Sequence, residues 1–447
     1  MIYLRTRVWP IPRRWPFALT GTVVSASGCN ASARDTLRHG SPESVGMLPG
    51  PLSQMVANLT AYTETRNWTA HSYNQVVPIE PGGATLIARH GVIVSAFAFG
   101  KRLLYANVSG LEGTLLPAED QEDATLDTIY DMASLTKLFT TVAALRQIDE
   151  SRITINGTVA EYLPEFAVNG KENVTLLQLM THTSGLSESP DPGLSSPQYR
   201  TYDERVQAIL NETLENEPGS VFLYSDLNYM TLMLVLERVT GRKLDALIGD
   251  FTRELGMRDT YFNRGNIEGP ASPLYGRTAA QEFQIAVLGP GEPQRPQPVR
   301  GTVHDENAWA LDGVAGHAGL FSTVADTARL CQMILNNGTY GGVRVLSGPA
   351  VDLVFTNFNS RFPDDAHGAG FELDQFYTSG PMANPLAASH TGFTGTSVVI
   401  DRASDTFFLH FANRAHPSRT WSSNNIVRES LGYWVAKSLG RDVPFPP

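Results

Sequence analysis

The chain has 447 residues, enough to bury a large core as one big domain or two to three smaller ones. Hydrophobic residues make up 42% and charged residues 18%, an ordinary globular balance, and the net charge of −11 argues against nucleic acid or an anionic membrane as partner. Two cysteines exclude a disulfide framework.

At the start, Arg5, Arg7, Arg13 and Arg14 precede an apolar stretch from Trp15 to Val24 and the small residues Ser25 to Gly28. Basic, apolar and small in that order is the plan of a secretory signal, so residues 1–29 read as a leader and the polar residues 30–47 as a linker. Asn30, Asn58, Asn67, Asn107, Asn156, Asn173, Asn211 and Asn337 each begin an Asn-x-Ser/Thr triplet. Chance gives roughly three or four such triplets, and the excess points to a secreted, extracellular glycoprotein. No stretch is long and apolar enough to span a membrane.

The body of the chain follows at residues 48–443. Leu52 to Trp68 has helical spacing, with Met55, Val56, Leu59 and Tyr62 on one face. Two apolar runs, Ala84 to Ala88 and Val92 to Phe99, flank His90-Gly91 and read as a hairpin. Residues 101–126 are acidic and irregular, and Asp127 to Tyr130 reads as a short strand.

That strand feeds Asp131-Met-Ala-Ser134-Leu-Thr-Lys137, where Ser134 is a helix N-cap by type and Lys137 follows three residues later on the same face. From Leu135 to Leu145 the only charged residue is Lys137, so the helix reads as buried nearly all round. Burial strips a lysine of solvation and favours the neutral amine, and a serine beside such an amine is the Ser-Lys form of nucleophilic catalysis.

Helices and loops dominate onward: Leu176–Met180, ended by the turn His182-Thr-Ser-Gly185, then Tyr202–Asn216 and Asp226–Val239, stopped by Gly241. Residues 263–303 are rich in Pro, Gly and Gln, and a loop of that length is usually a pocket wall. This loop and Trp309 are candidates for substrate contact. The cluster Val303-His-Asp-Glu-Asn307 with His317 matches no common metal spacing and reads as the wall opposite Tyr224. Ala325–Leu335 is helical with Cys331 in its core face, Thr396–Ile400 and Thr406–Ala412 are strands joined by a turn, and Asn424–Leu439 is an amphipathic helix. The predicted class is α+β: one antiparallel sheet built from both chain ends (about 48–130 and 310–443), flanked by helices, with a mainly helical lobe inserted (about 131–309).

Two further stretches complete a constellation. Tyr224-Ser225-Asp226 stands just before a helix, where a tyrosine can reach into a cleft and lose its proton more easily beside a lysine. His390-Thr391-Gly392 leads the terminal strand pair; its glycine permits close approach to a substrate backbone, and the Phe393 amide paired with that of Ser134 would form an oxyanion hole.

The three motifs, in this order and spacing, resemble the signature of the serine penicillin-recognising enzymes, on the class C β-lactamase branch. That branch includes D-alanyl-D-alanine carboxypeptidases, D-aminopeptidases, esterases and acyltransferases. The resemblance covers roughly residues 45 to 440, including Leu179 to Leu186 and Gly316 to Ser322. It implies a β-lactamase/transpeptidase-like fold with Ser134 as acyl-forming nucleophile, Lys137 as its proton acceptor and Tyr224 as general base, and with Asp226, His390, Thr391 and Gly392 at the substrate. Two departures stand out: Asp226, as in many esterase-like relatives, replaces the asparagine more frequent among β-lactamases, and His390, a form seen in some peptidases of the group, replaces the lysine that often begins the motif and whose permanent charge helps hold a substrate carboxylate. A histidine titrating at about pH 6.5 is expected to hold such a group only at acid pH.

The reading is a serine hydrolase acting on an ester or amide of a small molecule or short peptide, more esterase than efficient β-lactamase, with no cofactor or metal. Its alternatives are an acyltransferase using the same acyl-enzyme and a non-catalytic module of the same fold.

Overall fold

The computed structural model describes residues 35–284 and 295–446. The expected leader, with Cys29 and the triplet at Asn30, and part of the 263–303 loop lie outside the described residues.

The sheet that organises the molecule has seven strands in its main path: β1 (Arg38–His39), β2 (Gly82–Arg89), β3 (Val92–Leu103), β4 (Glu372–Leu373), β5 (Ala387–Thr391), β6 (Ser397–Asp401) and β7 (Thr406–Ala412). Their order across the sheet is β1-β3-β2-β7-β6-β5-β4, with Glu122–Asp123 added beside β3. The joint between the two chain ends is the antiparallel pair β2–β7, where Leu409 faces Leu86 and Phe407 faces Ala88. All pairs along the path are antiparallel except β1 with β3. That edge strand falls in the stretch expected as a linker, which here pairs through Arg38 with Val92.

Period-two alternation divides the strands between two cores. Leu86, Val398, Ile400, Phe407, Leu409 and Phe411 face the larger core, shared with helices α2 (Thr136–Asp149), α3 (Leu176–Met180), α4 (Asp226–Thr240), α5 (Leu244–Glu254) and α6 (Val324–Leu335). Ile87, Phe99, Val399 and Phe408 face the smaller core, closed by α1 (Pro49–Ala61) and α7 (Asn425–Ser438). Each fully buried leucine or phenylalanine here stabilises the fold by about 1.5–3 kcal/mol.

Several boundaries differ from expectation. Helix α1 stops at Ala61 rather than Trp68, and Val56 of its predicted apolar face is exposed, because Met55, Leu59 and the following Tyr62 suffice to cover the sheet. The acidic stretch 101–126 holds a hairpin, Tyr105–Ser109 with Glu112–Leu115, packed under Trp421. Helix α4 ends where Gly241 takes φ +64°, as the glycine stop predicts. Cys331 is fully buried, and no described helix is long and apolar enough to cross a membrane.

Candidate active site

The helical lobe meets the sheet at the turn before α2. Strand Tyr130–Asp131 leads into a single 3-10 turn, Ala133–Leu135, and the α-helix begins only at Thr136. Ser134 is therefore not the N-cap; Leu135 holds that place and Ser134 sits inside the turn. Ala133 adopts φ +45°, a left-handed conformation that costs a non-glycine residue about 1–2 kcal/mol. The turn is held by remote groups. Buried Asp131 accepts from the Ala133 N–H at 2.8 Å and from the His304 N–H at 2.6 Å. From the end of the chain, Thr394 Oγ1 donates to Asp131 O at 2.6 Å and Thr396 Oγ1 to Met132 O at 3.1 Å. Relieved of capping, the Ser134 hydroxyl turns to Lys137.

Lys137 is 0% exposed, and its Nζ donates to Ser134 Oγ at 3.0 Å, Asp226 Oδ1 at 2.7 Å and His317 O at 3.4 Å. Three oxygens match the three N–H bonds of an ammonium. The sequence leads one to expect apolar surroundings for this amine; α4 instead brings the Asp226 carboxylate against it, a partner that no reading of α2 alone reveals. Asp226 is accordingly engaged by Lys137. Beside it, His317 Nε2 meets Asp305 Oδ1 at 3.0 Å, and ligand atoms of Asp226, Asp305 and His317 lie within 4.8 Å of one another. A metal ion bound by these three would face the Lys137 ammonium 2.7 Å from the same Asp226 oxygen, so the set is a poor metal site. Burial works against the Asp305 charge, but the neighbouring His317 and the Ala308 N–H outweigh it and hold the carboxyl well below its usual range.

Tyr224 lies across Lys137, whose Nζ is 4.7 Å from the ring centroid. Behind the phenol, the His182 ring stacks at 4.4 Å and 28°. His182 Nδ1 accepts from the Ser225 N–H at 3.0 Å, and Asn228 Nδ2 lies 3.2 Å away. Burial, helped by nearby His367 and Lys137, keeps His182 neutral, with its pKa far below the ordinary value. The sequence treats His182 only as part of a helix-ending turn, and φ +56° there fits that role. What it misses is the ring's second use under Tyr224; the only signal is an unusual histidine in a turn that needs none.

The third motif differs most from expectation. His390 is 1% exposed, its Nδ1 donates to Thr391 O at 2.8 Å, and its ring is 6.1 Å from that of Tyr224. Burial, then Lys137, pushes its pKa down to about 3. It therefore supplies no cation for a substrate carboxylate at ordinary pH. Thr391 ends β5 half-buried, paired with Ser397. At Gly392 the close approach is internal: a Cβ would lie 2.0 Å from Thr396 Oγ1 and 2.6 Å from Met132 O. Glycine there brings the strand against the turn of Ser134. Phe393 is 43% exposed, stacked on His304 at 5.6 Å and over the Arg414 guanidinium at 4.2 Å. Among the described residues its N–H has no acceptor. Trp309 is half-buried against the larger core with Arg295 5.5 Å over its ring.

A Ser-x-x-Lys pair at the junction of such a sheet with an inserted helical lobe defines the class of the penicillin-recognising serine hydrolases. Residues 78–432 match the Beta-lactamase family, and the chain belongs to it. It is thus an enzyme of a serine hydrolase family. A Salmonella paratyphi B protein named "Putative D-alanyl-D-alanine carboxypeptidase" is 30% identical over 90% of this chain and 91% of its own length. Among solved structures, the octameric penicillin-binding protein homologue of Pyrococcus abyssi superposes with TM-score 0.62 at 19% identity, over 89% of this chain and 78% of that one. EstCE1, described as a hydrolase with promiscuous acyltransferase activity, gives TM-score 0.60 at 21% identity, over 85% of this chain and 99% of that one.

Proposed function

We propose that this protein hydrolyses a neutral ester or amide through a covalent acyl-enzyme on Ser134. The observation that carries the reading is Ser134 Oγ held 3.0 Å from a fully buried Lys137 Nζ, with Tyr224 across the same ammonium. In this reading Tyr224 enters the step as the phenolate, and the Ser134 proton passes to its oxygen as Oγ bonds to the substrate carbonyl carbon. The Lys137 charge stabilises negative charge on the phenol oxygen through this exchange. Tyr224 returns the proton to the leaving oxygen or nitrogen as that bond breaks; water then repeats the sequence and frees the acid. The amides of Ser134 and Phe393 receive the oxyanion.

A neutral substrate is favoured over a peptide ending beside the scissile bond in a carboxylate. His390 is uncharged where many of the enzymes this chain resembles carry lysine, and Lys137 is already paired with Asp226. The test is intact mass after a fluorophosphonate probe: one adduct on the wild type and none on Ser134→Ala. An unmodified wild type would favour a non-catalytic role.

Export is supported by the sequon asparagines. Of the seven in described residues, Asn67, Asn107, Asn156, Asn173, Asn211 and Asn337 are exposed and Asn58 is half-buried. Peptide-N-glycosidase should lower the mass of protein from its native source; an unchanged mass with Met1 intact would point to the cytosol.

A further inference from the structure

Arg428 lies on α7 and is only 7% exposed. Its acceptors are not carboxylates. Nη2 donates to Gly392 O at 2.9 Å and Thr396 O at 3.3 Å, and Nη1 to Asn425 Oδ1 at 3.0 Å. Burying a guanidinium against neutral acceptors is costly. The desolvation, with Arg414 nearby, lowers its pKa to about 10, only partly offset by Tyr377, Glu372 and Glu80, none of which is hydrogen-bonded to it. A salt bridge or an apolar side chain would tie α7 to the sheet at lower cost, so the charge calls for another explanation.

The carbonyl it caps supplies one. Gly392 O also accepts from the Gly395 N–H at 3.0 Å, so both its lone pairs are engaged, one by a charged donor. The same peptide unit carries the Phe393 N–H at its other end. A hydrogen bond to the carbonyl of a peptide draws density from its nitrogen and strengthens the N–H as a donor, more so when the donor is charged. The next carbonyl, Phe393 O, accepts from Arg414 Nε at 2.7 Å. The peptide units on both sides of Phe393 are therefore each fixed by a buried guanidinium.

We propose that Arg428 is a positioning residue of the oxyanion hole, orienting and polarising the Phe393 N–H through the Gly392 peptide. Its work is done as Ser134 adds to the carbonyl and the substrate oxygen becomes negative. This rests on the acyl-enzyme reading above. A side chain buried behind the strand touches no substrate, so its effect belongs in kcat rather than KM.

The experiment compares wild type, Arg428→Met and Arg428→Lys on a neutral aryl ester and its thionoester, whose sulfur accepts hydrogen bonds weakly. Losing a whole oxyanion donor costs about 10²–10³ in kcat, so losing its polarisation should cost about tenfold. Arg428→Met is expected to show that loss on the oxoester with KM within twofold, and a clearly smaller loss on the thionoester. Arg428→Lys should recover most of the rate. Equal losses on both esters, or a loss confined to KM, would overturn the proposal. If Arg428→Met does not fold, Arg428→Lys and Arg428→Gln carry the same comparison. Fluorophosphonate labelling separates the two readings: an unlabelled wild type sinks both, whereas labelled wild type with equal oxoester and thionoester losses sinks this one alone.

Discussion

Gly392 is pressed against the backbone of Met132, so closely that a Cβ at Gly392 would stand 2.6 Å from the Met132 carbonyl oxygen. The third motif thereby meets the chain two residues before Ser134. Gly392→Ala must push either the strand or the nucleophile turn. It is expected to destabilise the fold by about 1–3 kcal/mol as an overpacking change, and to lower kcat/KM more than stability alone explains. Urea unfolding with parallel kinetics checks this; wild-type values in both would show that the two segments are not in register.

His182 offers a second test. Its imidazole backs Tyr224 and accepts from the Ser225 N–H. His182→Leu leaves a buried donor unsatisfied, which costs about 1–3 kcal/mol, and frees the phenol to reorient. The melting temperature should fall together with kcat, while His182→Asn, which keeps an acceptor, should lose less of both. Unchanged kcat in His182→Leu would remove the histidine from the site.

The neutral state of His390 has a kinetic consequence. With its pKa pushed to about 3, it stays uncharged from pH 5.5 to 8, contrary to an exposed histidine. The ratio of kcat/KM for a neutral ester to that for its carboxylate analogue should therefore be flat over this range. A growing preference for the carboxylate substrate below about pH 6.5 would restore the cationic role.

Buried His416 makes a prediction about acid stability. Its Nε2 accepts from the Leu104 and Tyr105 N–H groups at 3.2 and 3.1 Å, and burial lowers its pKa to about 4. Between that value and about 6.5 the unfolded chain binds a proton that the folded one refuses. The contribution is complete above about pH 6.5 and is lost as the pH falls toward 4. Urea midpoints of wild type should drop more steeply over this interval than those of His416→Gln. Glu372 and Glu429, both raised to about 7 by burial, act in the opposite sense but equally in the two proteins. Parallel curves would contradict the assignment.

What the sequence revealed follows from the range of its signals. Ser134, Lys137 and Tyr224 were legible because helical spacing and short motifs are local, and β2, β3, β6 and β7 because alternation is local too. Three features were not. The Lys137–Asp226 pair joins helices 89 residues apart, so the charge on Lys137 appeared unopposed. The burial of His390 depends on what covers β5, which periodicity cannot supply. Gly392 serves a contact 260 residues away in the chain, and glycine alone does not say which neighbour comes close.

Tyr224→Phe tests the proton route. Removing the phenol oxygen should lower kcat by about 10²–10⁴ with little change in KM, the usual weight of a general base. Activity near wild type would return that role to Lys137.

The acyl group carried by Ser134 can be trapped. Wild-type enzyme is mixed with a p-nitrophenyl ester, quenched in acid during the first turnover and mapped by peptide mass. A burst of p-nitrophenol of about one equivalent per enzyme and the acyl mass on the peptide containing Ser134 are expected, both lost in Ser134→Ala. Hydrolysis without a burst that persists in Ser134→Ala, or an acyl mass on any other residue, would contradict an acyl-enzyme on Ser134.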